Sequence, residues 1–364
     1  MLSKPPPTMR LPGIYFALLL PCLAFATPFQ LAAQEDRTVV LQTNAAGDQV
    51  HVIDPATNTV AGVIEGIPRP HGVTSHPNGM FFYVSNEHDR TLDVVSASSL
   101  DVIRQIPLSG GPHNISITPD GRKIYVAIMW GDPAVDVIDT RAQRQVESIP
   151  MEGGVHNVYV TPDGKHAVAG SIMTRQFTVI DTEFDEPVWS LRFEPEFGLG
   201  PLEDGGVRPM AFETNPDGST RFIFVQTSGF HGFHVIDFAE RRLVRSVRVP
   251  AKPLAEIDND GLQGSPGHGL EVTDDGRTLW FASKPHDTVY AWSLPDLGFI
   301  GGVPVGSHPD WLTSTPDSRY VYAANAGSND VSVIDRETMT EIARIPVGQT
   351  PRRNHTAVLP GRAN

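Results

Sequence analysis

Short runs of apolar and β-branched residues alternate with polar residues along most of the chain, and many of these runs end in the same triplet. Val-Ile followed by Asp stands at five places, and degenerate copies raise the number of repeats to seven: Val52-Ile53-Asp54, Val94-Val95-Ser96, Val137-Ile138-Asp139, Val179-Ile180-Asp181, Val235-Ile236-Asp237, Ala291-Trp292-Ser293 and Val333-Ile334-Asp335. Alternation with a period of two is typical of half-buried β-strands. The pattern therefore predicts a β-rich repeat protein.

A tight turn of the Pro-Asp-Gly type separates two strands in most repeats. The turns are Pro77-Asn78-Gly79, Pro119-Asp120-Gly121, Pro162-Asp163-Gly164, Pro216-Asp217-Gly218, Asp274-Asp275-Gly276 and Pro316-Asp317-Ser318. Four short strands in a repeat of about forty residues are typical of a β-propeller blade. We therefore expect an all-β fold, a single seven-bladed β-propeller of four-stranded blades over residues 38–360, followed by a C-terminal tail at 361–364.

The seventh blade is predicted to be assembled from both ends of the chain. Residues 39–64 supply three strands, and Thr356–Leu359 supply the innermost strand. Pairing of the N-terminal strands with the C-terminal strand would close the ring and remove the exposed strand edges that invite aggregation.

The N-terminal segment has the pattern of a signal peptide over residues 1–26, followed by a flexible mature N-terminus at 27–37. Lys4 and Arg10 precede an apolar stretch that is too short to span a membrane. The single cysteine, Cys22, lies inside this segment, so a cleaved chain has no thiol for a disulfide, a c-type haem attachment or a thiolate-bound metal. We expect a periplasmic or secreted protein without a membrane span.

The net charge of −14 disfavours nucleic acid as a partner, because binding to phosphates depends on Lys and Arg. The remaining partner classes are a small molecule, a metal ion or another protein.

Several strand sequences resemble the YVTN-type β-propeller repeat: Tyr83-Val84-Ser85-Asn86, Tyr125-Val126-Ala127, Tyr322-Ala323-Ala324-Asn325 and the Val-Ile-Asp triplets. The resemblance covers residues 39–360 and implies an exported seven-bladed propeller. The family includes binding proteins, and its wider relatives include lactonases, haem d1-binding proteins and copper oxidoreductases. A shared fold does not choose among these activities.

Four histidines occupy the same position of the repeat. Six residues before the first residue of the turn stand His71, His113, His156 and His268, whereas the other blades have Met210, Asp310 and, near the C-terminus, Asn354 beside His355. This position starts the innermost strand, next to the central axis. We therefore expect the four imidazoles to meet at one mouth of the propeller.

The loops that reach the same mouth add further histidines. Nine of the thirteen histidines are predicted on this face: His71, His88, His113, His156, His231, His268, His286, His308 and His355. Two long acidic connections, residues 183–207 and 251–267, reach the same face and could act as partial lids.

Neutral histidine is the commonest protein ligand for copper and zinc, so this face is a candidate metal site. We predict His71, His113, His156 and His268 as ligands, with Asp310 and His355 as secondary ligands, and copper before zinc. The arrangement is similar to nitrous oxide reductase and thiocyanate dehydrogenase, which place copper-binding histidines at one mouth of a seven-bladed propeller. The likeness covers the four histidines only.

Other residues of this face are candidates for binding a substrate. Arg69, Arg208 and Arg352 could hold an anion, Glu87 beside His88 could act as a base, and Trp311 could stack on a ligand. The leading hypothesis is an exported binding protein for a transition metal or a small ligand. A copper-dependent oxidoreductase acting on a small anion, a lactonase-like hydrolase and a protein-interaction scaffold with structural histidines remain open.

Overall fold

The computed structural model describes residues 1–4, 36–193, 206–253, 256–257 and 265–361. Most of the expected signal peptide and mature N-terminus, the last three residues of the tail and the acidic centres of the two long connections lie outside these ranges. Within them, no helix is long and apolar enough to cross a membrane.

The described chain folds into twenty-eight strands, numbered here from the N-terminus. The first three strands are β1 (Arg37–Asn44), β2 (Val50–Asp54) and β3 (Thr59–Ile64). Blade 1 contains β4 (Pro70–Ser75), β5 (Phe81–Asn86), β6 (Thr91–Ser96) and β7 (Val102–Pro107). Blade 2 contains β8 (Gly111–Ile117), β9 (Lys123–Trp130), β10 (Ala134–Asp139) and β11 (Arg144–Pro150). Blade 3 contains β12 (Val155–Val160), β13 (His166–Ser171), β14 (Gln176–Asp181) and β15 (Glu186–Arg192).

The second half of the chain continues the series. Blade 4 contains β16 (Val207–Thr214), β17 (Thr220–Thr227), β18 (Gly232–Asp237) and β19 (Arg242–Arg248). Blade 5 contains β20 (Gly267–Val272), β21 (Thr278–Ser283), β22 (Thr288–Ser293) and β23 (Phe299–Pro304). Blade 6 contains β24 (Pro309–Ser314), β25 (Tyr320–Asn325), β26 (Asp330–Asp335) and β27 (Thr340–Pro346). The last strand is β28 (Pro351–Leu359).

The strands form seven four-stranded antiparallel sheets in a ring, which confirms the predicted seven-bladed β-propeller. Six blades follow the chain in order. The seventh has the strand order β28-β1-β2-β3, so the two ends of the chain close the ring as predicted. In this pairing Leu41 lies opposite His355, and Arg37 lies opposite Leu359.

The Val-Ile-Asp triplet forms the third strand of a blade and the start of the next turn. In blade 2, Val137 and Ile138 are fully buried between neighbouring blades, and burying such a side chain contributes about 1.5–3 kcal/mol. The carboxylate of Asp139 accepts a hydrogen bond of 2.7 Å from the backbone N–H of Ala142. The triplet therefore combines core packing with a turn cap, which explains its recurrence.

The Pro-Asp-Gly turns have an equally local cause. Gly121 has a φ of 73°, in the left-handed region that favours glycine. The Asp120 carboxylate accepts the backbone N–H of Arg122 at 3.0 Å and the hydroxyl of Thr118 at 2.6 Å. These turns join the innermost strand to the second strand, so they fix where each innermost strand ends.

Candidate functional site

The innermost strand of every blade carries an irregularity near its start. In β4, Pro70 lies opposite Asn86 but Val73 lies opposite Val84, so the innermost strand has one residue more than its partner. The same shift occurs near the start of the other six innermost strands. Such a bulge re-aims side chains locally. The residues at this bulge, called the bulge residues below, all line one cavity. They are His71, His113, His156, Arg208, His268, Asp310 and Arg352.

The structure corrects the sequence alignment in blades 4 and 7, where Met210 and Asn354 were expected at this position. Strand β16 has eight residues instead of six and a second irregularity near its turn, so Arg208 takes the position. Met210 packs in the core between blades 3 and 4. In β28, Arg352 takes the position, while the Asn354 amide donates to the backbone carbonyl of Tyr322 at 3.1 Å.

The cavity at this mouth, called the histidine cavity below, has a volume of about 360 Å³. It is defined by the seven bulge residues together with Arg69 and Glu87. The imidazoles follow one another around the wall, with ring centroids 3.7 Å apart for His71 and His113, 4.1 Å for His113 and His156, and 5.6 Å for His156 and His268. The four imidazoles therefore lie together at one mouth of the propeller, as predicted.

Three of these imidazoles have Nδ1 next to an oxygen that can only accept a hydrogen bond. The Nδ1–H of His113 donates to the backbone carbonyl of His156 at 2.7 Å, and that of His268 donates to the carbonyl of Asp310 at 3.0 Å. The Nδ1 of His71 lies 2.7 Å from the Glu87 carboxylate. In the neutral rings the proton is thus on Nδ1, which leaves the Nε2 lone pair available to a ligand.

His156 has the other tautomer. Its Nδ1 lies 2.6 Å from the side-chain nitrogen of Asn157, whose oxygen accepts a hydrogen bond of 2.8 Å from Arg353. The amide nitrogen therefore donates to Nδ1, and the neutral ring of His156 carries its proton on Nε2. The longer contact of 3.4 Å between Nε2 and the Arg208 guanidinium then joins two donors that both face the cavity. His156 is suited to donating a hydrogen bond to an anion rather than to ligating a metal.

Burial holds the pKa of all four histidines well below the ordinary value of 6.5. Removing an imidazolium from water is costly, and nearby positive charges add to the effect. After burial, Arg353 and Arg352 lower the pKa of His71, and the neighbouring His71 and Arg353 lower that of His113. The four rings are therefore neutral at pH 7.

Asp310 is brought into the histidine cavity, but its carboxylate is already engaged. One carboxylate oxygen lies 2.5 Å from the Lys284 ammonium and 2.9 Å from the Arg352 guanidinium. Although burial alone would raise it, these cations hold the pKa of Asp310 well below its usual range. The other carboxylate oxygen lies 3.7 Å from Nδ1 of His268. The observed role of Asp310 is to neutralise buried cations, and its role as a secondary metal ligand stays a prediction.

Glu87 lies at the edge of the same cavity and holds two partners. One carboxylate oxygen contacts Nδ1 of His71, and the other lies 3.1 Å from the Arg69 guanidinium. His71, Glu87 and His113 offer ligand atoms that all lie within 4.8 Å of one another. Glu87 is therefore either a ligand or the group that orients His71.

Three predicted site residues lie apart from this group. The ring of His88 is exposed and contacts Asp89 at 2.8 Å. His355 lines a second cavity on the axis, and its Nε2 lies 2.9 Å from the Ser75 hydroxyl. Trp311 lines that second cavity too, with its ring centroid 5.4 Å from that of His268.

Two further cations near this mouth, Lys284 and Arg353, are also candidates from the sequence for binding an anion, and the structure buries both beside the histidine cavity. Lys284 and Arg353 are each only 2% exposed. The Arg353 guanidinium lies over the Trp311 ring, 3.4 Å from its centroid, and approaches Nδ1 of His113 at 3.2 Å. Arg353 directly follows the bulge residue Arg352. An alignment on strand starts, rather than on turns, places Arg353 next to the axis.

The fold and these residues define a seven-bladed β-propeller with a cavity of histidine and arginine at one mouth of its axis. No family model matches the chain, and no curated protein matches it. The finer resemblance to the YVTN repeat therefore has no support beyond the residues that suggested it.

Solved structures with the same fold are numerous. A chain of hydrazine synthase from Kuenenia stuttgartiensis is similar, with 24% identity, a TM-score of 0.68 and coverage of 82% of this chain and 92% of that one. The periplasmic gluconolactonase of Pseudomonas aeruginosa has 20% identity, a TM-score of 0.69 and coverage of 89% and 100%. The dihydro-heme d1 dehydrogenase NirN has 16% identity, a TM-score of 0.60 and coverage of 85% and 63%. At such identities the likeness establishes the fold alone.

Proposed function

We propose that this protein binds a transition-metal ion, copper first and zinc second, in the histidine cavity, with a small anion beside it. The proposed ligands are the Nε2 atoms of His71, His113 and His268. Of these, His71 and His113 belong with Glu87 to the group whose ligand atoms lie within 4.8 Å of one another. The observation that carries the proposal is the common arrangement of these rings, in which each Nδ1 is held by an oxygen acceptor. Metal-binding histidines are oriented in this way by their neighbours.

The chemistry of the ligand atoms fits these metals. The rings are neutral at pH 7, so their lone pairs do not first have to lose protons. Imidazole nitrogen suits copper and zinc, whereas calcium and magnesium prefer oxygen ligands. His156, with its proton on Nε2, is left out of the proposed ligand set.

The surrounding charges favour an anion next to the metal. The histidine cavity is lined by three arginines and two carboxylates, so its cations outnumber its anions. These residues are Arg69, Arg208, Arg352, Glu87 and Asp310. The N–H of His156 and the guanidinium groups of Arg208 and Arg352 would hold and orient the anion. A bound copper or zinc ion would supply Lewis-acid chemistry, and copper could also exchange electrons.

The proposed cellular location is the periplasm or the exterior. The support is the signal-peptide pattern at the N-terminus together with the periplasmic origin in the name of one similar structure, the gluconolactonase of Pseudomonas aeruginosa.

Elemental analysis of the natively exported, untagged protein, purified without chelators, tests the proposal. We expect near-stoichiometric copper or zinc in the wild type and after reconstitution of the metal-free protein. The double variant His71→Ala/His113→Ala should lose the metal while its circular dichroism is unchanged. His88→Ala, which removes an exposed histidine outside the cavity, is the matched control and should keep the metal. Absence of metal in the reconstituted wild type would overturn the proposal.

The His71–Glu87 pair supports a second candidate function, a metal-free, lactonase-like hydrolase. A neutral His71 with Nδ1 held by Glu87 at 2.7 Å is arranged as a general base. It would take a proton from water through Nε2 while the water oxygen attacks the lactone carbonyl. The ring C–O bond then breaks, and the leaving oxygen regains the proton. Lactone hydrolysis that survives chelation and is lost in Glu87→Gln would favour this function, whereas inactivity of the chelated wild type would exclude it.

A further inference from the structure

The second cavity on the axis, called the distal cavity below, has no role in the proposed function. It has a volume of about 450 Å³, and its wall includes Tyr159, Glu271, Trp311, Arg353 and His355. Arg353 lines this cavity and does not line the histidine cavity. Cavities of about 300–1,000 Å³ are typical of small-molecule sites.

The Arg353 side chain is buried with unused hydrogen-bond donors. Its Nη2 donates to Asn157 at 2.8 Å, whereas Nε and Nη1 have no partner within the described part of the chain. Unpaired donors of a buried guanidinium are rare, because burial removes the water that would otherwise satisfy them. An acceptor that is not part of this chain would therefore satisfy donors that the described residues leave unpaired.

The other polar groups of the distal cavity also favour an acceptor that carries negative charge. Burial raises the pKa of Glu271 to about 8, so at pH 7 this carboxyl is protonated and can donate a hydrogen bond. Burial lowers the pKa of His355 to about 4, which leaves its ring neutral. Asp274, whose pKa is raised by burial, is the remaining acid in the wall, and Arg353 is the only permanent cation lining it in the described structure.

The rest of the wall mixes apolar side chains with polar ones such as Thr74, Asn114 and Thr313. Val73, Ile115, Ile117, Leu312 and Val358 line the distal cavity. Trp311 and Tyr159 lie nearly parallel, with ring centroids 6.4 Å apart. An acetate ion would leave most of these apolar and aromatic side chains uncovered, whereas a ligand with an apolar or aromatic body would bury them.

We propose that the distal cavity is a second ligand site, which binds a small monocarboxylate with an apolar body, its carboxylate on Arg353 and its body against the apolar and aromatic side chains of the wall. The site is independent of any metal in the histidine cavity. Bound carboxylate would accept hydrogen bonds from the Arg353 guanidinium, and the protonated carboxyl of Glu271 would add a further donor.

Calorimetric titration of the metal-free protein with benzoate at pH 6.5 tests the site. We expect saturable 1:1 binding. Benzyl alcohol, which has the same ring without the charge, should bind at least about tenfold more weakly, because it cannot form the charge-assisted hydrogen bonds. Equal affinity for the two compounds, or no binding of benzoate, would overturn the proposal.

Neighbouring arginines provide a matched pair of variants. Arg353→Met should weaken benzoate binding at least about tenfold, whereas Arg352→Gln, which alters only the histidine cavity, should leave it unchanged. The reverse result would place the carboxylate in the histidine cavity and overturn the proposal.

The pH dependence gives a second test that holds even if Arg353→Met does not fold. Benzoate affinity should fall as the pH rises past about 8, because Glu271 then becomes an anion facing the ligand. Glu271→Gln should remove this fall. Asp274 faces the same cavity, and burial raises its pKa as well. A pH profile identical in wild type and Glu271→Gln contradicts the assignment.

Discussion

At the scale of single residues, seven equivalent bulge positions decide the chemistry of the propeller. Histidine occupies four of them, and Arg208, Asp310 and Arg352 occupy the other three. The histidines could be predicted from the repeat, because a side chain at a fixed register position recurs around the axis. Their tautomers could not be predicted, because a tautomer depends on individual side-chain contacts. One example is the contact between the Asn157 amide nitrogen and Nδ1 of His156.

Asp310 has a structural role that a substitution can measure. Asp310→Asn keeps the volume but leaves Lys284, which is 2% exposed, beside Arg352 without a counter-charge. We expect a loss of about 3–5 kcal/mol in the free energy of unfolding, measured by chemical denaturation.

An exposed ion pair is the control for this prediction. Glu152→Gln breaks the contact between Glu152 and Arg192, whose side chains are 69% and 50% exposed, and should cost less than about 1 kcal/mol. Equal losses in Asp310→Asn and Glu152→Gln would show that the buried cations do not need the Asp310 carboxylate.

At the scale of elements, the strands could be predicted closely and the register near the axis could not. In blade 2 the sequence pattern predicts strands at residues 114–118, 123–128, 134–139 and 145–150. These agree with β8–β11 to within three residues at each end, because alternation and turn residues act locally. The bulges depend instead on crowding where the innermost strands meet. At Gly72, for example, an added Cβ would lie 2.7 Å from the carbonyl oxygen of His113 on the neighbouring strand. Counting back from the turn misplaced blade 4 because β16 has a second irregularity next to its turn, and blade 7 because β28 is nine residues long.

Strand β28 closes the ring, so its loss should be costly. A chain ending at Gly348 lacks β28 and exposes the edge of β1 along the pairing that runs from Arg37 to Asn44. We expect a large fall in the midpoint of thermal unfolding or failure to fold, whereas a chain beginning at Asp36 keeps every strand and should melt close to the full-length chain. Similar midpoints for the two truncations would contradict the closure of the ring by β28.

At the scale of the whole molecule, the propeller gathers neutral histidines and buried cations around one axis, and this arrangement links stability to pH. Unfolding restores the ordinary histidine pKa of 6.5, so below that pH the unfolded chain binds protons that the folded chain excludes. Each buried histidine lowers the free energy of unfolding by about 1.4 kcal/mol for every unit that the pH falls between 6.5 and the pKa of that histidine in the folded state.

The metal-free protein should therefore lose stability as the pH falls from 6.5 to 4.5. Glu271 acts with the opposite sign in this window, because it is neutral in the folded state and ionised in the unfolded one. Asp93, Glu213 and Asp274, whose pKa values burial also raises, act in the same direction as Glu271. The four histidines act together with His231, His234 and His355, whose pKa values burial lowers to about 3, 4 and 4, so the histidines dominate. Urea denaturation of the chelated protein at pH 7.5, 6.5, 5.5 and 4.5 measures the effect, and an unfolding midpoint that stays constant over this range would contradict it.

The central claim is that His71, His113 and His268 ligate a metal through Nε2. Electron paramagnetic resonance of the protein reconstituted with one equivalent of Cu(II) tests it most directly, because histidine nitrogens split the copper signal. We predict coupling to three nitrogens in the wild type and in His88→Ala, with the loss of that pattern in His71→Ala/His113→Ala. A wild-type spectrum without nitrogen coupling, or one that the double substitution leaves unchanged, would contradict a metal site in the histidine cavity.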